Sequence, residues 1–259
     1  MSPRGDLATA KLLSLIAFCC AGIFLTGALS SLVSSENSPF APGEKLSFRI
    51  SWSNTVEAGN ADLMVHNGNP GNKDEVRLVL KASTSPNLGG AYTFKDEFIS
   101  DFNMQLWAPR SFQKNFTEKT RVVDEKVDFD QINRYAVVTR SKTLSQKIQI
   151  ETGTQDPVSA LYAIRSTALR AGMTLAFPVM DGGRTFQMEA KVNALELIST
   201  KLGNFNCHRL DIRLIPVSGS SNEKNIVVWF SNDQRRLPVL ASIALPVGAA
   251  VIELTARTP

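Results

Sequence analysis

The residue types able to do chemistry in this chain are few and poorly spaced for it. His66 and His208 are the only imidazoles, and neither has a carboxylate or cysteine at metal-ligand spacing. Cys207 directly precedes His208, which sets a nucleophile beside a base by residue type. Neighbouring strand residues point to opposite faces, however, so a dyad there requires a bulge to turn one of them. No Gly-x-Ser-x-Gly, phosphate-cradling glycine loop or dinucleotide fingerprint occurs. Asp181-Gly182-Gly183-Arg184 offers backbone amides to an anion, yet a tight turn explains the same residues more simply. The chain holds 24 Asp and Glu, and two of them meeting in a barrel mouth would allow glycoside hydrolysis. Asn115-Phe116-Thr117 matches an N-glycosylation acceptor and matters only in a host with that pathway. The residues thus nominate no catalytic group, no metal ligand and no cofactor.

The most suggestive local cluster is the loop Ser231-Asn232-Asp233-Gln234-Arg235-Arg236, between Trp229-Phe230 and Leu237-Pro238. Adjacent arginines can grip an acidic group, which makes Trp229, Asp233, Arg235 and Arg236 a candidate rim for a ligand or partner. The simpler reading is structural: Asp233 caps the turn and pairs with Arg235.

The elements that position these residues are strands. Leu46, Phe48, Ile50 and Trp52 share one parity against Lys45, Ser47, Arg49 and Ser51, the mark of a half-buried strand. Ala61, Leu63 and Val65 begin a second, and the turn-rich run from Asn67 to Asn72 closes that hairpin. Val76 to Ala82 and residues 92–102 follow, then segments 112–119, 121–130, 134–140 and 144–151. Lys126, Asp128, Arg134 and Arg140 read as a solvated face. The pattern changes once. Asp156 suits an N-cap, Pro157 a first helical turn and Gly172 the position beyond the end, while Val158, Leu161, Ile164, Ala168 and Leu169 recur at helical spacing.

Strands resume at 185–192 and 195–200. A parity slip between Phe205, Cys207 and Leu210, Ile212, Leu214 predicts a bulge near His208. Segments 225–231, 237–245 and 251–255 complete the set. The expected fold is mainly β: an antiparallel meander of about a dozen strands, forming a strongly curved sheet or half-barrel with one covering helix near 157–171.

Ahead of this body lies a leader. Arg4 and Lys11 precede an uncharged apolar run over residues 12–33, and Ala28 and Ser30 fit small-residue cleavage, so residues 1–30 read as a signal peptide. An uncleaved anchor reaching about residue 33 is the alternative, because the run is long enough to span a bilayer. Cys19 and Cys20 read as apolar members of that run. A polar spacer at 31–39 leads into one domain over 40–257. The whole chain carries 28 Lys and Arg and a net charge of +4, and loss of the leader takes this near +3. That charge is too weak and dispersed for nucleic acid, although it suits mild attraction to anionic surfaces. Cys207 alone remains in the body, which rules out an internal disulfide and leaves a thiol expected to pack as a small hydrophobe.

Four stretches resemble a known family. They are Phe40-Ala41-Pro42-Gly43-Glu44, Asp156-Pro157-Val158-Ser159-Ala160-Leu161-Tyr162, Leu202-Gly203-Asn204-Phe205-Asn206-Cys207 and the block from Val228 to Val239. Together they are similar to the bacterial exported family catalogued as domain of unknown function 3108. The resemblance covers about residues 40–257 and implies a β-rich protein of the Gram-negative envelope, with no catalytic residue carried over. The expectation is an exported, periplasmic, non-enzymatic protein whose curved sheet binds a lipid or other amphipathic ligand, with no nucleic acid and with membrane contact only through a retained leader. A scaffold for an envelope protein partner, with a filled core, is the alternative, and a cell-wall hydrolase ranks third.

Overall fold

A computed structural model describes residues 38–69, 71–72, 74–85, 94–118, 121–140, 143–217, 224–245 and 248–258. The expected signal peptide or anchor, and most of the expected polar spacer, lie outside the described residues. Eight strands come first: β1 (Lys45–Trp52), β2 (Val56–Asn67), β3 (Glu75–Thr84), β4 (Phe94–Asn103), β5 (Ala108–Glu118), β6 (Arg121–Asp130), β7 (Tyr135–Arg140) and β8 (Thr143–Gln149). The helix α1 (Pro157–Ser166) follows. Six more strands complete the fold: β9 (Thr174–Asp181), β10 (Arg184–Thr200), β11 (Gly203–Pro216), β12 (Lys224–Ser231), β13 (Pro238–Ala244) and β14 (Ala249–Arg257).

All fourteen strands form one sheet in the order β8 to β1, then β14 down to β9. Each hairpin pairs with its sequence neighbour, and the first and last strands pair antiparallel, Ile50 opposite Ile252. The two ends of the sheet are therefore β8 and β9, joined in sequence by α1. The fold is the expected β meander with one helix, curved like a barrel but not closed.

Alternation explains the two faces. Leu46, Ile50, Leu78, Phe98, Phe102 and Phe112 turn inward and are fully or almost fully buried. On the opposite face, ion pairs link residues directly across strands, Arg77 to Asp101 at 2.7 Å and Lys81 to Glu97 at 2.7 Å. Lys126 and Asp128 pair at 2.7 Å with both side chains about half exposed, as expected of a wet face. The more exposed pairs, Lys81–Glu97 and Lys126–Asp128, contribute little stability each. Arg140 departs from the expectation: its guanidinium reaches the Glu125 carboxylate at 2.7 Å and the Gly182 carbonyl at 2.7 Å, across the gap between the sheet's ends.

Four differences from the sequence pattern have physical causes. The helix stops at Ser166 rather than near 171: Thr167 is extended, and its amide bonds the Ile164 carbonyl three residues back, so the regular ladder does not continue. Gly172 instead takes a left-handed turn (φ +88°) leading into β9. The strand β9 is masked in the sequence by Pro178, a residue tolerated in a sheet only where an amide is not needed; β9 is an edge strand, so it is tolerated. Residues 185–192 and 195–200 form one strand, β10. The bulge lies there, with Asn193 and Ala194 opposite Arg209, not on β11 at His208. The extra residue on β10 twists the ribbon, and the change in which side of β11 is buried follows from that twist.

Candidate functional site: an apolar cavity beside the helix

The helix sits inside the curve of the sheet. Val158 and Tyr162, one turn apart, belong to a core cluster drawn mainly from β1 to β7, with Met180, Cys207, Val239 and Leu254 from the other half of the sheet, while Ala160 and Ile164 belong to a second cluster drawn from β9 to β14. Helical periodicity thus divides α1 between two walls, and Leu161 packs against both. The element plugs the curve of the sheet, with both of its sides packed against strands.

Both of its ends are pinned. At the N-terminus, Asp156 is fully buried and accepts hydrogen bonds from the Val158 and Ser159 amides at 2.7 and 2.9 Å, while the Ser159 hydroxyl accepts from the Asp156 amide. This is a reciprocal capping box. Ser100 of β4 donates to the other carboxylate oxygen. Burial pushes the Asp156 carboxyl up to about 6, against the opposing pull of those hydrogen bonds. At the C-terminus, Arg165 is wholly buried and forms a two-pronged pair with Glu44, at 2.6 and 2.8 Å. Its remaining donors go to the Pro39 and Arg235 carbonyls, and its guanidinium lies 5.0 Å from the Tyr162 ring centre.

Between the two core clusters the filling is incomplete. A cavity of about 120 Å³ lies against α1, lined by side chains that include Ala61, Leu63, Ala160, Ile164, Ala241 and Ile243. Every lining residue is apolar. An apolar pocket of this kind, open at one side, can hold an apolar group.

A second interior feature bridges the open ends of the sheet. Lys114, Glu125 and Arg140 are consecutive cross-strand neighbours on β5, β6 and β7. Lys114 reaches Asp181, the last residue of β9, at 3.0 Å, and Arg140 holds both Glu125 and the Gly182 carbonyl. Burial raises the Glu125 and Asp181 carboxyls, while the cations beside them pull the other way. At the helix side of the same gap, Gln155 pairs with β9, its amide donating to the Pro178 carbonyl at 2.9 Å. Side chains and a short linker span the gap where, among the described residues, no strand ladder joins β8 to β9.

The match of known families to this architecture is direct. The model of a family of proteins of unknown function, DUF3108, matches residues 47–255. The chain belongs to this family. The match runs from within β1 to within β14, so it covers the whole sheet and the helix. Among solved structures, a β-barrel-like protein of another uncharacterised family, DUF1849, from Brucella abortus is similar at 9% identity and TM-score 0.56, covering 83% of this chain and 96% of that one. A Bacteroides fragilis protein described as exported, with a YmcC-like fold, aligns at 5% identity and TM-score 0.37 over 85% and 98% of the two chains. The Brucella structure shows the fold alone. No curated protein matches the sequence.

In this DUF3108 protein three of the four rim candidates, Asp233, Arg235 and Arg236, gather at the C-terminal end of α1. Asp233 accepts from the Ser231 hydroxyl and from the Arg235 and Arg236 amides, which is the turn-capping role. The Arg235 side chain donates to the Thr258 carbonyl at 3.1 Å. Arg236 donates to the Arg165 carbonyl at the end of α1, where a cation also complements the helix dipole. Trp229 lies apart, half-buried, its indole donating to Glu196 at 2.7 Å. Truncating Arg236 to alanine should therefore cost stability, about 1 kcal/mol, with the midpoint of urea unfolding as the readout; no change would show that the bond is replaced by water.

The remaining chemical candidates are equally occupied or apart. His208 is buried with its Nδ1 3.2 Å from the Asn193 carbonyl, and His66 is exposed at the end of β2. Cys207 is buried, and burial raises its thiol to about 12, well away from a reactive thiolate. Among the described residues no metal-ligating cluster occurs, and no helix is long and apolar enough to cross a membrane.

Sequence reasoning missed Glu44, Arg165, Lys114, Glu125 and Asp181 as interior charges. A signal was available for two of them. Lys114 shares the inward parity of Phe112 and Phe116, and Glu125 that of Val127 and Phe129, so each breaks an apolar pattern.

Proposed function

We propose that this protein is an exported, periplasmic binding protein without catalytic activity, which takes the apolar part of a lipid or other amphipathic ligand beside α1. The observation that carries the reading is the cavity of about 120 Å³ with a wholly apolar lining. A void of that size lowers stability by on the order of 3 kcal/mol relative to a filled core, and sequences depart from tight packing where function requires it. A scaffold with a filled core has no use for such a void. Export rests on the leader of residues 1–30, and the lone body cysteine suits a fold stabilised by its core and not by disulfides.

Native mass spectrometry of protein recovered from a Gram-negative envelope, together with titration of cis-parinaric acid, tests the binding reading. A co-purifying lipid mass and saturable fluorescence enhancement are expected; the absence of both overturns it. N-terminal sequencing of the same material should begin at residue 31, whereas an intact leader would establish the anchor.

A further inference from the structure

Resting on that reading, we infer that the cavity takes only the terminal few carbons of a straight alkyl chain, inserted tail first, and that its length limit is set by the fixed position of α1. Three observations combine. First, no lining side chain carries a charge or a hydrogen-bonding group, so a polar end drawn inside would lose its water without replacement. The polar end of the ligand stays at the mouth. Second, about 120 Å³ is slightly less than the ~150 Å³ cavity that accommodates benzene, which puts the limit at about six carbons. Third, the wall that would have to move for a longer chain is held at both ends, by Asp156 to Ser100 and by Arg165 to Glu44.

The void is kept open by small side chains from three separate elements: Ala61 on β2, Ala160 on α1 and Ala241 on β13. A larger residue at any of them would enter the space. Leu240 also lines the cavity and is only half-buried, so shortening it enlarges the space with limited damage to the core.

Primary alcohols from butanol to dodecanol, titrated into the full chain by calorimetry, test the length limit. Affinity should tighten about fourfold per methylene, the factor for burying one such group, up to about six carbons and then level off. Leu240→Ala should move the plateau to longer chains, and Ala241→Leu should abolish binding while its circular dichroism spectrum stays native. If Ala241→Leu does not fold, the plateau shift in Leu240→Ala decides alone. Affinity that keeps rising through dodecanol overturns the length limit and leaves the binding reading standing. Failure of every alcohol, with no uptake of cis-parinaric acid, overturns both.

Discussion

Replacing Arg165 with alanine should destabilise the protein by about 3–5 kcal/mol, the range for removing one partner of a buried ion pair. The side chain is fully buried, and Glu44 is only 6% exposed, so solvent compensates little for its loss. Its loss leaves the Glu44 carboxylate without the two bonds at 2.6 and 2.8 Å and leaves the Pro39 and Arg235 carbonyls without their donor. The aromatic contacts of the guanidinium with Phe40 and Tyr162 go as well. For a domain whose total stability is typically 5–15 kcal/mol, this is the difference between a folded and a partly unfolded population. Glu44→Ala should cost a similar amount for the converse reason, a buried cation without its anion. Arg235→Ala is the control: it stands 3.9 Å from Glu44 and is a third exposed, so its loss should cost under about 1 kcal/mol. Urea unfolding followed by circular dichroism separates the cases. A loss below about 1 kcal/mol for Arg165→Ala would mean that water reaches the pair and that it does not pin the helix.

The parts of the fold that depend on local alternation were legible in the sequence. Phe48 and Ile50 against Ser47 and Arg49 specify a strand and its buried side, and Asp156-Pro157 specifies where the helix begins. What alternation cannot express is which strands are neighbours when they are distant in the chain. The β1–β14 ladder joins residues more than 190 positions apart, Trp52 opposite Ala250, and no local pattern encodes that pairing. The same holds for the candidate site. The cavity arises from residues of β2, α1 and β13, each an ordinary apolar position in its own element, and it exists only because three alanines face one space. The charged interior was half visible, as charges on the inward parity of β5 and β6. Arg165 was not, because its anion lies 121 positions earlier in the chain, and an arginine in the last turn of a helix is explained equally well by the helix dipole.

Asp156 should make stability fall as pH rises from about 4 to about 6. Its carboxyl holds a proton up to about 6 in the native state, against 3.8 for an ordinary aspartate. Between those values the native state binds more protons than the unfolded chain, so raising the pH favours unfolding throughout that window and has no further effect above it. A displacement of about two pH units corresponds to on the order of 3 kcal/mol. The cause is burial of the charged form, which the amides of Val158 and Ser159 and the Ser100 hydroxyl offset only in part. Asp156→Asn tests this directly. The asparagine oxygen can still accept the two amide hydrogen bonds as an N-cap, and its amide can face the Ser100 oxygen, so the geometry of the box survives without a charge to desolvate. The variant should therefore lose the slope between pH 4 and 6 and be at least as stable as the parent at pH 7. Asp156→Ala, which removes the cap as well, should be destabilised at both pH values. An Asn variant that keeps the parent's slope would assign the titration to another buried acid, and Glu125 and Asp181, both raised by burial at the open ends of the sheet, would be the groups to replace next.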